Sequence, residues 1–193
     1  MRHTRRHVLQ VALSSLLLAS APVTASVNPA SGEEVWVLLN PEKQRLQVMR
    51  GAKAIVLYNN VSWGRGGVGL KTRVGDNVTP IGEFRVRWIN EDSRFRTFFG
   101  FDYPTPQYAQ LGLLRGDLDD QQYGRIIEAR RSGDVPLQNT ALGGALGIHG
   151  IGNGDAALHN ATNWTQGCIA LNNDQIDHLA QYIKVGTRVV IKP

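Results

Sequence analysis

Two reactive side chains in neighbouring short motifs constrain this chain more than any other feature of its sequence. His149 lies in Leu146–Gly150 (LGIHG), and the only cysteine, Cys168, lies in Thr165–Asn172 (TQGCIALN). A cysteine attacks a carbonyl as the thiolate and needs a nearby base, whereas a histidine can take that proton and later return it to a leaving amine. Because nineteen positions separate the two residues, only a tertiary fold can bring them together.

The residue before the cysteine strengthens the interpretation of Cys168 as a nucleophile. Gly167 allows a sharp backbone turn, which would leave the amides of Gly167 and Cys168 free to face a developing oxyanion. A single cysteine cannot form an internal disulfide, and an unpaired thiol is a liability in an oxidising compartment. A chemical role is therefore favoured over an inert buried cysteine.

These motifs together resemble a known signature. His149, a fifteen-residue spacer and Thr165-Gln-Gly-Cys168 resemble the catalytic motif of the L,D-transpeptidase (YkuD) family, in the branch that reads Thr-x-Gly-Cys. Gln166 stands where the family carries a second histidine, and Ala170 where many members carry an arginine. Further similarity to the family lies in Val35–Gln47, Gly75–Phe84, Pro104, Thr140–Gly144 and Val185–Ile191.

The resemblance implies a fold and a reaction. The implied fold is mainly β with a few helices, a β-sandwich-like or partly closed domain with a helical insertion before His149. The implied donor is a peptidoglycan stem peptide ending in D-alanine, whose acyl group passes through Cys168 to an amine acceptor. The acceptor is another stem peptide, a lipoprotein lysine or a free D-amino acid. Two alternatives stay open: a hydrolase of the same fold, which transfers to water and so trims stem peptides or releases a wall-linked lipoprotein, and an inactive wall-binding module.

The resemblance and the chemistry also assign supporting roles near the two motifs. The carbonyl of Gly150 is expected to orient the imidazole, and Thr165 and Gln166 to supply hydrogen bonds around Gly167. The expected wall of the substrate cleft comprises Tyr103, Trp164 and Arg65.

The sequence indicates no cofactor and no metal site. Zinc sites usually show two ligands within a few residues of each other, and no such pair joins Cys168 with the chain's histidines. We place His159 in a polar loop and His178 on the exposed side of a helix. Gly64–Gly69 (GRGGVG) fits a dinucleotide fingerprint, but a long loop follows it rather than a helix, so we reject a nucleotide site. The glycine-rich segment Gly64–Gly69 itself either lies beside the substrate groove or connects strands.

The N-terminus is interpreted as an export signal. Residues 1–25 carry a basic start, an apolar run and a small-residue cleavage site, as either an ordinary or a twin-arginine signal peptide. Residues 26–33 form a flexible lead-in, and residues 34–193 the catalytic domain. These features predict a periplasmic or cell-envelope protein with no stable membrane span after cleavage.

Removing the signal also weakens any argument for nucleic acid as a partner. The signal carries three of the 21 basic residues and none of the 16 acidic ones, so 18 basic residues face 16 acidic ones in the remainder. No basic stripe with interleaved aromatic residues stands out. The remaining 168 residues suffice for one domain with a real core.

Alternation and capping signals divide the remainder into elements. Between Asn90 and Asn139 the β pattern breaks, and an aromatic cluster from Phe95 to Tyr103 either packs as a lid or lines the cleft. The predicted strands are Glu34–Asn40, Gln44–Met49, Ala52–Trp63, Ile81–Ile89 and Leu142–Ile148, and the predicted helices are Asp119–Arg131 and Asn173–Lys184.

Overall fold

The computed structural model describes residues 34–193, so the predicted signal peptide and lead-in lie outside the described residues. The strands are β1 (Val35–Asn40), β2 (Arg45–Arg50), β3 (Lys53–Tyr58), β4 (Val68–Gly69), β5 (Thr79–Pro80), β6 (Gly82–Ser93), β7 (Arg96–Phe101), β8 (Gly147–His149), β9 (Ile169–Ala170) and β10 (Arg188–Ile191). The helices are α1 (Pro106–Arg115), α2 (Asp120–Ser132), α3 (Ala156–Ala161) and α4 (Asn173–Leu179).

Eight of the strands form one mixed sheet, in the order β3-β2-β1-β10-β6-β7-β8-β9, and β4 pairs with β5. The chain that leaves the edge strand β3 pairs with the opposite edge, through bridges from Ser62 to Ala170 and from Gly64 to Thr165. The two edges of the sheet therefore approach each other. The predicted fold class, mainly β with a helical insertion before His149, is confirmed.

Alternation along the strands builds a core on each side of the sheet. In β1, Val37 and Leu39 are fully buried in the main core, whereas Trp36 and Leu38 pack in a smaller cluster on the other face. Residues of period two point to opposite faces of a sheet, so a strand buried on both faces reads as the continuous apolar run seen here.

The hairpin of β6 and β7 differs from the prediction. β6 does not end at Ile89 but continues to Ser93, which pairs with Arg96 across a two-residue turn, and β7 follows at once. The prediction failed because polar residues after Ile89 disfavour a buried strand and because the turn lacks the glycine that is typical of a hairpin. Arg96 takes the left-handed conformation instead, with φ of 77°. The turn places Phe95 against His149 of β8.

The helical insertion consists of α1 and α2. Helix α2 confirms the predicted Asp119–Arg131 within a residue, because Asp119 and Gln122 form a capping box and Gly133 ends the helix. Helix α1 begins with Pro106 and ends at Arg115, just before the left-handed Gly116, and was not predicted from the sequence. Helix α4 begins at the predicted residue but ends at Leu179. Within residues 34–193, no helix is both long and apolar enough to cross a bilayer.

Candidate active site

His149 ends strand β8 with its imidazole in a defined tautomer. Its Nδ1 atom lies 2.6 Å from the carbonyl oxygen of Gly150, as expected from the sequence. A carbonyl can only accept a hydrogen bond, so Nδ1 must carry the proton. In the neutral ring the lone pair is then on Nε2. The Gly150 carbonyl thereby leaves Nε2 able to accept a proton.

Aromatic side chains enclose this imidazole. Phe95 stacks on the ring at a centroid distance of 4.4 Å, Phe98 stacks at 6.1 Å, and Trp164 lies edge-on at 5.8 Å. His149 is 2% exposed. Burial disfavours the charged ring and lowers the pKa of His149 to about 4, although the Gly150 carbonyl opposes this shift. The imidazole is therefore neutral at neutral pH.

Cys168 lies immediately before strand β9 and shares a cavity with His149. Strands β8 and β9 are parallel, with His149 opposite Ala170. Because side chains alternate between faces, Cys168, two residues before Ala170, lies on the same face as His149. Both residues line a cavity of about 890 Å³. The fold thus brings together the two residues that the sequence separates.

The thiol of Cys168 is protonated in this environment. Its Sγ lies 3.5 Å from the carbonyl oxygen of Ala145, to which the thiol donates. Burial raises the pKa of the thiol to about 11, against opposing effects of the Gly147 backbone and the Lys71 ammonium. A neutral thiol therefore shares the cavity with a neutral imidazole at rest, and its proton must move when the sulfur attacks.

The turn before Cys168 corrects one prediction about the oxyanion site. Gly167 has φ of 128°, a conformation that favours glycine, and its amide donates to Thr165 Oγ1 at 3.2 Å. The same hydroxyl donates to the carbonyl of Cys168 at 2.6 Å. The expectation that the Gly167 amide is free was wrong, because the Thr165 hydroxyl already accepts a hydrogen bond from this amide.

A second threonine, Thr79, also stabilises the turn before Cys168, and this role was not predicted from the sequence. The Thr79 hydroxyl donates to the carbonyl of Gly167 at 2.9 Å and accepts from the amide of Gly64 at the same distance. Thr79 is fully buried. It lies in the family-like segment Gly75–Phe84, but only the tertiary structure shows that its hydroxyl contacts the residue before the cysteine.

Two of the three residues predicted for the wall of the substrate cleft line this cavity. Arg65 and Trp164 line the cavity, and so does the exposed Gln166. The prediction for Tyr103 was wrong: it is fully buried, donates to the carbonyl of Leu142 at 3.1 Å and packs against Tyr108. The helical insertion covers that position, so an aromatic residue that looked available from the sequence belongs to the core.

The members of the aromatic cluster lie in two environments. Phe98 of β7 and Phe95 of the hairpin turn line the cavity, whereas Phe99 and Phe101 are buried in the main core with Tyr103. The first two agree with the prediction that the cluster lines the cleft, and the other three belong to the core rather than to a lid. The Gly64–Gly69 segment lies beside the cavity, because the Arg65 amide donates to the carbonyl of Thr165 at 2.9 Å.

His159 lies in helix α3 and not in the predicted polar loop. It is 4% exposed, and its Nδ1 accepts a hydrogen bond of 3.2 Å from the indole of Trp164. That bond orients the indole beside His149. His178 is exposed, as predicted. Across residues 34–193, no three His, Cys, Asp or Glu side chains group as metal ligands.

We expect Thr79→Val to destabilise the protein by about 1–3 kcal/mol, because the buried Gly64 amide and the Gly167 carbonyl lose their shared partner. The variant keeps the side-chain shape, so cavity formation contributes little. Urea denaturation measures the loss. Thr72→Val is the control, since Thr72 is exposed in the loop that precedes β5. Equal stability of the two variants contradicts the structural role of Thr79.

Comparisons with known proteins match nearly all of the described residues. The family model described as the L,D-transpeptidase catalytic domain, YkuD, matches residues 34–191. YqjB from Bacillus subtilis (strain 168), whose L,D-transpeptidase assignment is provisional, is 28% identical over 180 residues, which cover 93% of this chain and 83% of YqjB.

Solved structures show the same fold at low identity. The helical cell shape determining protein Pgp2 from Campylobacter jejuni matches with a TM-score of 0.55 and 20% identity, over 82% of this chain and 47% of that one. Bd1075 from Bdellovibrio bacteriovorus matches with a TM-score of 0.51 and 19% identity, over 83% of this chain and 48% of that one. This chain therefore spans about half of each of these longer chains.

Proposed function

The chain belongs to the L,D-transpeptidase (YkuD) family, which acts on peptidoglycan stem peptides, and we propose that it transfers an acyl group between such peptides through a thioester on Cys168. The observation that carries the proposal is the shared cavity, in which the thiol and an imidazole with a free Nε2 lie on one face of the sheet. With its predicted signal, the protein acts in the periplasm or cell envelope.

The first half of the reaction forms the thioester. His149 Nε2 takes the thiol proton as Cys168 Sγ attacks the carbonyl of the L-centre of the diamino acid. The tetrahedral intermediate collapses, the bond to D-alanine breaks, and His149 returns the proton to the leaving amine. In the second half an acceptor amine, deprotonated by His149, attacks the thioester and releases the thiol.

The oxyanion needs a donor other than the Gly167 amide, which Thr165 occupies. We assign this part to the backbone amide of Cys168, assisted by the side chain of Gln166 at the cavity wall. Thr165 and Thr79 support these groups by holding the Gly167 turn.

The identity of the acceptor separates transferase from hydrolase. The mature protein is incubated with purified disaccharide-tetrapeptides, and the products are identified by mass spectrometry. Cross-linked dimers are the expected result and support transfer. Tripeptide alone supports the alternative, an L,D-carboxypeptidase or a hydrolase that releases a wall-linked lipoprotein. No product and no thioester supports an inactive wall-binding module.

We expect Gln166→Ala to slow thioester formation about tenfold, equivalent to about 1.4 kcal/mol of barrier. Loss of a buried oxyanion donor typically costs 10²–10³-fold, but Gln166 is exposed and competes with water. Gln166→His should stay within about threefold of the wild type, since the imidazole also donates a hydrogen bond. Single-turnover acylation and thermal melting are measured together. A wild-type acylation rate with a lower melting temperature in Gln166→Ala assigns the residue to the turn alone.

A further inference from the structure

A buried cation lies in the wall of the same cavity. Lys71, in the loop between β4 and β5, is only 3% exposed, yet it lines the cavity with Cys168. Its Nζ atom lies 2.5 Å from Asp76 Oδ1. An ammonium is rarely buried unless it is paired, so this ion pair holds the charge in place.

Backbone amides as well as Lys71 hold the Asp76 carboxylate in place. Its carboxylate also accepts hydrogen bonds from the backbone amides of Thr72, Arg73 and Val78, at 2.8–3.1 Å. Burial alone would raise the pKa of Asp76, but the Lys71 ammonium and these amides lower it to about 2. The carboxylate therefore stays charged at neutral pH and keeps Lys71 anchored.

Of the two members of the ion pair, Lys71 lines the cavity and Asp76 does not. A methyl group added at Gly143, another cavity residue, would lie 3.7 Å from Lys71 Cε, so the end of the lysine side chain lies close to this part of the wall. The ammonium also acts on the Cys168 thiol in the direction that favours the thiolate.

The loop that carries this ion pair also reaches the nucleophile turn. Val74 donates from its amide to the carbonyl of Ala141 at 2.8 Å, and Thr79 contacts Gly167. Asp76 sits between these two attachments and organises the backbone on both sides of itself. Lys71 is thus held at a fixed place relative to Cys168.

We propose that the Lys71 ammonium, anchored by Asp76, stabilises the negative charge on Cys168 Sγ when the thiol proton passes to His149 Nε2. In that step the S–H bond breaks, an N–H bond forms on Nε2, and the charge left on sulfur faces the ammonium. Lys71 acts through Cys168 and does not react itself. The inference rests on the proposed role of Cys168 as nucleophile. The other titratable and charged groups that line the cavity are Arg65, Asp92, Arg94 and His149.

The test uses alkylation of the single cysteine by iodoacetamide, which is neutral and does not depend on any wall substrate. Rates are measured from about pH 7 to about pH 11, the range in which thiols titrate. We expect Lys71→Met to lower the rate at pH 8 about tenfold and to move the profile to higher pH, since the thiolate fraction falls tenfold for each pH unit by which the thiol pKa rises. Lys71→Arg should restore most of the rate, because it keeps the charge.

Two further variants control for the loss of a lysine in general and for misfolding of Lys71→Met. Lys184→Met removes an exposed lysine elsewhere and should leave the profile unchanged. If Lys71→Met fails to fold because Asp76 is left buried without its cation, the Lys71→Met/Asp76→Asn double variant removes both charges and should show the same shift. An unchanged alkylation profile in folded Lys71 variants overturns the inference.

A second readout separates this role from substrate binding. An unchanged alkylation profile together with a raised KM for a donor with a free terminal carboxylate would assign Lys71 to carboxylate recognition and overturn our proposal. A shifted profile in a protein that turns over no stem peptide supports the role of Lys71 and contradicts the proposed function alone.

Discussion

Cys168→Ala is expected to abolish turnover of stem peptides, by at least about 10⁴-fold, because loss of a nucleophile removes covalent catalysis entirely. No second cysteine exists to replace it. Product formation from a disaccharide-tetrapeptide is the measurement. Intact-mass analysis of the wild type during turnover should show one acyl group per chain, and the variant should show none.

The fold of the Cys168→Ala variant provides the control. Cys168 is half-buried, so truncation by one atom should change the free energy of unfolding by only about 1 kcal/mol. A folded Cys168→Ala protein that retains substantial turnover contradicts the assignment of the nucleophile. A folded variant without activity supports it, and the wild-type adduct then locates the acyl group.

His149→Gln is expected to slow thioester formation by about 10²–10⁴-fold, the usual contribution of a general base. Glutamine is similar in length to histidine but its amide is not a base, so the variant removes the proton acceptor and keeps most of the side-chain volume. His149→Ala removes that volume as well, along with the stacking on Phe95, and should also melt earlier. Single-turnover acylation separates the two effects. A wild-type rate in His149→Gln means that the base lies elsewhere.

The pH dependence of the wild type tests the environment of the imidazole. A protonated Nε2 cannot accept the thiol proton, so the acylation rate should fall as the pH drops through the lowered pKa of about 4. An unperturbed histidine would instead give a fall near about pH 6.5. A rate that falls through the ordinary histidine range contradicts the neutral, aromatic-enclosed imidazole seen here.

The pH dependence of the free energy of unfolding tests the burial of His149 without any catalytic assay. Between the ordinary pKa and about 4, the unfolded chain binds a proton at His149 that the folded protein does not bind. The free energy of unfolding should therefore fall as the pH drops through this window, by on the order of 3 kcal/mol. His149→Gln should lose this part of the pH dependence. Urea denaturation at several pH values measures it without any substrate.

Features whose causes are local could be predicted from the sequence. A continuous apolar run predicted β1 and alternating apolar residues predicted β2, because apolar side chains must leave water wherever a strand is placed. Asp119 and Gly133 predicted the ends of α2, since capping bonds form within a turn of the helix. The chemistry of cysteine and histidine suggested a catalytic pair, and the resemblance of the two motifs to a known signature indicated the family.

The groups that surround His149 and Cys168 could be identified from the tertiary structure but not from the sequence. Tyr103 was misplaced because burial depends on the helical insertion that covers it, not on the residue itself. Phe95 contacts His149 through a hairpin turn without a glycine signal, and Thr79 reaches Gly167 across 88 positions of chain. The Lys71–Asp76 pair lies within six residues, yet its relation to Cys168 follows from how the sheet edges meet. Contacts of this kind arise from the packing of distant segments, and no local pattern encodes them.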